Sequence, residues 1–108
     1  MTTYSNTSYV AKNVGTSAVN IIPALASGTA AISSCVVANT SISPVTASVY
    51  LTRASVNHYL MYNATVPVGG SLEVIQGSRV VMNTGDALYV QTGAASSCDA
   101  IVSALTAV

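Results

Sequence analysis

The chain has 108 residues, of which 51% are apolar and 6% charged, and its three bases and three acids cancel to a formal net charge of zero. That length holds one domain, residues 1–108, with no room for a second core, and the positive mean hydropathy excludes intrinsic disorder. Three scattered bases (Lys12, Arg53, Arg79) and the lack of Trp and Phe argue against a nucleic-acid partner, and apolar runs cut every few positions by Ser, Thr, Asn, Gly or Pro argue against a membrane span.

Along the chain, residues 1–6 carry neither the basic cluster nor the apolar stretch of a secretory signal, so a cytoplasmic product is expected. Short runs rich in β-branched residues and Tyr then recur, with turn residues between them at the spacing of a sandwich or small barrel. Residues 9–14 stop at Gly15, and residues 18–22 stop at Pro23. Either is suited to an edge strand, and residues 1–13 as a whole to an N-terminal arm or edge strand.

Residues 30–39 form a clear strand that ends before Pro44. In residues 46–53, alternation puts Ala47, Val49 and Leu51 on one face and Ser48, Tyr50 and Thr52 on the other. A turn at Ala54-Ser55 leads into residues 56–62, and the Val66-Pro67-Val68-Gly69-Gly70 segment supplies a loop. Residues 72–75, 79–82 and 87–91 follow, separated by turns at Gln76-Gly77-Ser78 and Asn83-Thr84-Gly85-Asp86. The last strand, residues 98–105, runs nearly to the C-terminus.

The pattern predicts an all-β fold: two packed antiparallel sheets of eight or nine short strands, with jelly-roll or immunoglobulin-like connectivity. Small side chains such as Ala31, Ala38, Ala47, Ala87 and Ala100 would bury little area each. An isolated copy is therefore expected to be marginal, and association between copies to add the missing burial.

Residue types that could carry chemistry are sparse. His58 is the one histidine, and neither a Ser-His-Asp arrangement nor a metal site is visible around it. Asp86 and Asp99 could act as paired carboxylates only if a cleft held both, and Asp86 after Gly85 reads as a turn residue. Glu73, Asp86 and Asp99 lie in separate segments, against a calcium site. Gly69, Gly70 and Gly77 read as turn glycines, because no helix follows to make a phosphate-binding loop. No catalytic, cofactor-binding or metal-binding residue is assigned.

Asn6, Asn39 and Asn63 each open a glycosylation tripeptide of the kind that chance produces in a Ser- and Thr-rich sequence. Cys35 and Cys98 are either two buried thiols or one bridge. Tyr50, Tyr59, Tyr62 and Tyr89 fall in predicted strands, where exposed rings suit a subunit contact or a sugar platform.

Four segments together resemble small β-sandwich virion structural proteins of tailed bacteriophages, especially phages of marine and cyanobacterial hosts. They are Val36-Val37-Ala38-Asn39-Thr40-Ser41, Val66-Pro67-Val68-Gly69-Gly70-Ser71-Leu72, Thr84-Gly85-Asp86-Ala87-Leu88-Tyr89-Val90 and Ala95-Ser96-Ser97-Cys98-Asp99-Ala100-Ile101-Val102-Ser103. The likeness covers about residues 14–105. It implies a particle component at the capsid surface, neck or tail, made in the host cytoplasm and residing in the virion, and it brings no catalytic residues. Such relatives would carry a small residue where Cys98 stands.

The expected function is therefore a virion structural protein, foremost a capsid decoration or cement subunit. The alternatives are a neck, tail or baseplate adaptor and a receptor- or carbohydrate-binding fibre module. Its partners would be other virion proteins and further copies of itself, with no nucleic acid, membrane, cofactor or small-molecule ligand expected.

Overall fold

The computed structural model describes residues 4–75 and 79–107, in nine strands and no helix. The strands are β1 (Tyr4–Val14), β2 (Val19–Ile22), β3 (Thr29–Asn39), β4 (Val45–Arg53), β5 (Val56–Val66), β6 (Ser71–Glu73), β7 (Val80–Met82), β8 (Ala87–Thr92) and β9 (Cys98–Ala107). The turn expected at Gln76-Gly77-Ser78 lies outside the described residues.

Sheet I has the order β1-β9-β3-β6, with β7 also paired to β3, and sheet II has the order β2-β8-β4-β5. Every pairing is antiparallel. The chain alternates between the sheets except at the β4–β5 hairpin and between β6 and β7, so sequential strands otherwise face each other across the core. This is jelly-roll connectivity. An immunoglobulin-like arrangement, which pairs the first two strands within one sheet, is ruled out by β1 and β2 lying in different sheets.

The core follows from alternation. Ala47, Val49 and Leu51 of β4 point inward, with Leu88 and Val90 of β8 beside them and Ile32, Cys35, Val37 and Val102 facing them from sheet I. In β3 the inward positions jump from Ile32 to Cys35, an odd step that a regular strand cannot take. A register shift between Ile32 and Ser34 absorbs it, with Ser33 Oγ donating to Ser103 O at 3.2 Å.

Two strands extend well beyond the sequence reading. β1 begins at Tyr4 rather than Tyr9, because its polar first half pairs with β9 from Tyr4 opposite Ala107 onward. β5 continues to Val66 through Asn63, whose φ of 47° takes up a shift in pairing with β4. The β4–β5 hairpin turns on Ala54 and Ser55, both at positive φ, a conformation that side-chain-bearing residues adopt at a cost.

Candidate functional site

Residues directly opposite one another on antiparallel strands share a face. On sheet II, Asn20 lies opposite Tyr89, Tyr89 opposite Tyr50, and Tyr50 opposite Tyr59, a row that crosses all four strands on the outer face. The Tyr50 and Tyr89 rings stack with centroids 5.4 Å apart, and Tyr59 leans on Tyr50 at 5.1 Å. Tyr62 meets Tyr59 edge to face at 4.8 Å. The structure thus joins all four strand tyrosines singled out from sequence. Tyr50 is enclosed by its neighbours; burial first, then the nearby Tyr59 and Tyr89, raises its phenol above the ordinary value.

The ring row divides two concavities. One, of about 410 Å³, is bounded by Asn20, Tyr50, Thr52, Asn57, Ala87 and Tyr89. The other, of about 210 Å³, lies between Ser48, Tyr62, Asn63 and Gln91. In the second, Asn63 N donates to Ser48 Oγ at 2.9 Å and holds the β5 irregularity in place.

Sheet I presents a different outer face. Val10, Ile101 and Val36 form one cross-strand row, and Leu105, Ala31 and Val81 another. Val10 is 72% exposed and Ile101 51%. The Lys12–Asp99 pair at 3.6 Å borders the first row. Glu73 sits opposite Val36, where its carboxylate substitutes for ladder acceptors near the end of β6. It accepts from Ser34 Oγ at 2.9 Å, Cys35 N at 2.8 Å and Ile75 N at 3.2 Å. Burial works to raise the Glu73 pKa, but these bonds and one from Val74 N outweigh it and hold the group below the usual carboxylate range.

The sheet edges are unequal. β2 is four residues long, β6 and β7 three each, and β5 is broken by two register shifts. β1 pairs with β9 from Tyr4 to Ala11 without a shift, and its other edge carries no strand among the described residues. It contains no proline, and Lys12 is its one charged residue. Long, regular and nearly uncharged edges of this kind are templates for pairing with another chain.

The acid and histidine candidates do not converge. Asp86 is buried beneath Arg53, whose Nη2 and Nε reach its carboxylate at 2.6 and 3.0 Å. Asn83 N donates to the same carboxylate at 2.8 Å and closes the turn before β8. Arg53 first, then Asn83 against an opposing burial effect, holds Asp86 below its ordinary pKa. The Arg53 partner is what the turn reading of Asp86 missed.

His58 lines a groove of about 310 Å³ with Arg53 and Leu60, and adds slightly to the positive field at Asp86. Among the described residues its imidazole makes no hydrogen bond. Asp99 follows the loop at the far end of β8, separated from Asp86 by about 20 Å of strand. Its Oδ1 accepts from Asn13 N at 3.0 Å. No group of three potential metal ligands occurs among the described residues.

Asn39 is 3% exposed, and its amide bonds to Ser43 O, Val66 O and Ser41, so this tripeptide has a structural role.

Both cysteines are buried free thiols. Cys98 lies opposite Asn39 while Cys35 lies opposite Val102. Four residues of β3 therefore separate the two positions, about 13 Å against the roughly 4.4–6.8 Å between Cα atoms that a bridge needs. Burial, with Glu73 adding to it, pushes the Cys35 thiol up to about 12, and burial also raises Cys98. Neither thiol is expected to react with a disulfide reagent in the folded protein, whereas unfolding in denaturant should release two per chain. Reaction of one thiol in the native state would contradict this packing.

No family model matches the chain, and no curated protein matches it. Among solved structures, one described as "Bacillus endospore appendages form a novel family of disulfide-linked pili" is similar with a TM-score of 0.53 and 13% identity. The match covers 98% of this chain and 86% of that one, and at such identity it shows the fold.

Proposed function

We propose that this chain is a non-catalytic structural subunit that works as one of many copies in a protein assembly. The observation that carries this reading is the open, unshifted edge of β1 beside the apolar rows of sheet I. An edge of that length invites strand pairing, and Val10 and Ile101 next to it offer area to bury in the same contact. With 6% charged residues and zero net charge, little electrostatic repulsion opposes close packing of identical chains. The fold's likeness to an appendage subunit is compatible with this reading. The disulfide linkage named for that neighbour does not carry over, since both thiols here are buried.

The finer reading is a virion structural protein of a tailed bacteriophage, foremost a capsid decoration subunit. It is supported by the resemblance of the four segments and by the jelly-roll connectivity, which recurs among viral capsid proteins. Quantitative mass spectrometry of purified particles tests it. Hundreds of copies per particle would support the capsid surface, and about six or twelve would favour the neck or tail. Absence from the particles would end the virion reading while leaving self-assembly to be judged by sedimentation.

A further inference from the structure

The structure assigns a second role to the outer face of sheet II: we infer that the 410 Å³ basin beside the tyrosine row binds a neutral saccharide. The volume lies within the roughly 300–1,000 Å³ typical of small-ligand sites. The Tyr50–Tyr89 stack forms one wall, and Ala87, flanked by Thr52 in the next row, leaves the space that a larger side chain would fill.

The polar groups of the basin are poised for a ligand. Among the described residues, the side chains of Thr52 and Asn57 make no hydrogen bond. Two carbonyls, Ile22 O at 2.6 Å and Leu88 O at 3.2 Å, face one end of the Asn20 amide and require its nitrogen there as donor; with the amide so assigned, the side chain is fixed and its Oδ1 is left as an acceptor.

The basin's chemistry selects the ligand class. No side chain that lines it is charged at neutral pH, so a charged ligand would be desolvated without a counter-charge. A purely apolar ligand would strip water from Thr52 and Asn57 and return no hydrogen bond. A sugar ring presents C–H groups to an aromatic wall and hydroxyls to amides and alcohols, and so satisfies both sets at once. This site is independent of the open edge, which belongs to the other sheet.

Intrinsic tyrosine fluorescence is a direct readout, because the chain has six Tyr and no Trp. The full chain is titrated with neutral hexasaccharides of glucose, mannose, galactose and N-acetylglucosamine, with hexagalacturonate as an acidic comparison. At least one neutral series should shift the emission and saturate in the micromolar to millimolar range. Asn57→Ala, on an exposed edge strand, and Ala87→Leu, which fills the basin, should each weaken that binding about tenfold. Val10→Ala, on the opposite sheet, should leave it unchanged. Circular dichroism establishes that each variant is folded, and either basin variant alone suffices for the comparison.

The inference is overturned by saturation with none of the neutral sugars, by preference for the acidic one, or by equal binding to folded basin variants. It is also overturned if Asn57→Ala or Ala87→Leu lowers the sedimentation coefficient of the assembled protein, since a second copy would then cover the face.

Discussion

Replacing Val10 and Ile101 together with lysine is expected to convert the assembled protein into monomers of 10.9 kDa that keep the native circular dichroism spectrum. The two side chains lie opposite each other on β1 and β9, point to solvent and touch nothing in the core, so intrachain packing has little to lose. Two ammonium groups repeated in every copy would meet their counterparts across the contact at low effective dielectric and charge the edge of β1. Sedimentation velocity over a concentration series reads the result directly. A wild-type chain that sediments as a monomer at every concentration would remove the proposed function, and a variant that assembles like wild type would remove this surface from it.

Arg53→Ala is expected to destabilise the fold and lower its melting temperature by several degrees, because Asp86 stays buried and loses the guanidinium that neutralises it. Solvent around the half-exposed Arg53 screens the pair and keeps the loss below that of a fully buried one.

The pH dependence gives a sharper test. In the wild type, the folded-state pKa of Asp86 lies below its unfolded value, so the unfolded chain holds the proton more tightly. The stabilisation is complete above the unfolded pKa and disappears as pH falls through the folded one. Glu73, likewise depressed, contributes with the same sign. Without Arg53 the largest cause of the Asp86 depression is gone, so the variant has less stabilisation to lose there as pH falls. Chemical denaturation between pH 7 and 3 should therefore show the variant's deficit narrowing with acid. A constant deficit would mean that the ion pair does not control Asp86. Removing both partners in Arg53→Ala with Asp86→Ala should cost less than the two single losses added together.

Local pattern made much of this molecule legible. The alternation in residues 46–53 assigned Val49 and Leu51 to the core and Tyr50 to the opposite face, and the structure places them so. Turn residues marked most strand boundaries. The turn at Ala54-Ser55 stands where the sequence put it, whereas the strand end expected before Asn63 gave way because Asn63 takes positive φ inside β5 without advertising it as glycine does. Whether the first half of β1 is an arm or an edge strand stayed open in the sequence, because Ser5, Asn6, Thr7 and Ser8 have little intrinsic strand signal and are held by pairing with β9. The four tyrosines were identified as exposed strand aromatics, but nothing in the sequence said that they meet.

By itself, then, the sequence determined the class of fold, the faces of the individual strands and the poverty of charge, because side-chain alternation and composition are local quantities. Only the tertiary structure decided that β8 runs beside β4, which brings Tyr89 onto Tyr50 and places Arg53 over Asp86. It likewise decided that four residues of β3 keep Cys35 from Cys98, and that β1 is left with an open edge. The reason is that a period of two states which way a side chain points but not which distant strand lies alongside. That choice is made when both sheets bury their inward faces against each other in a single register.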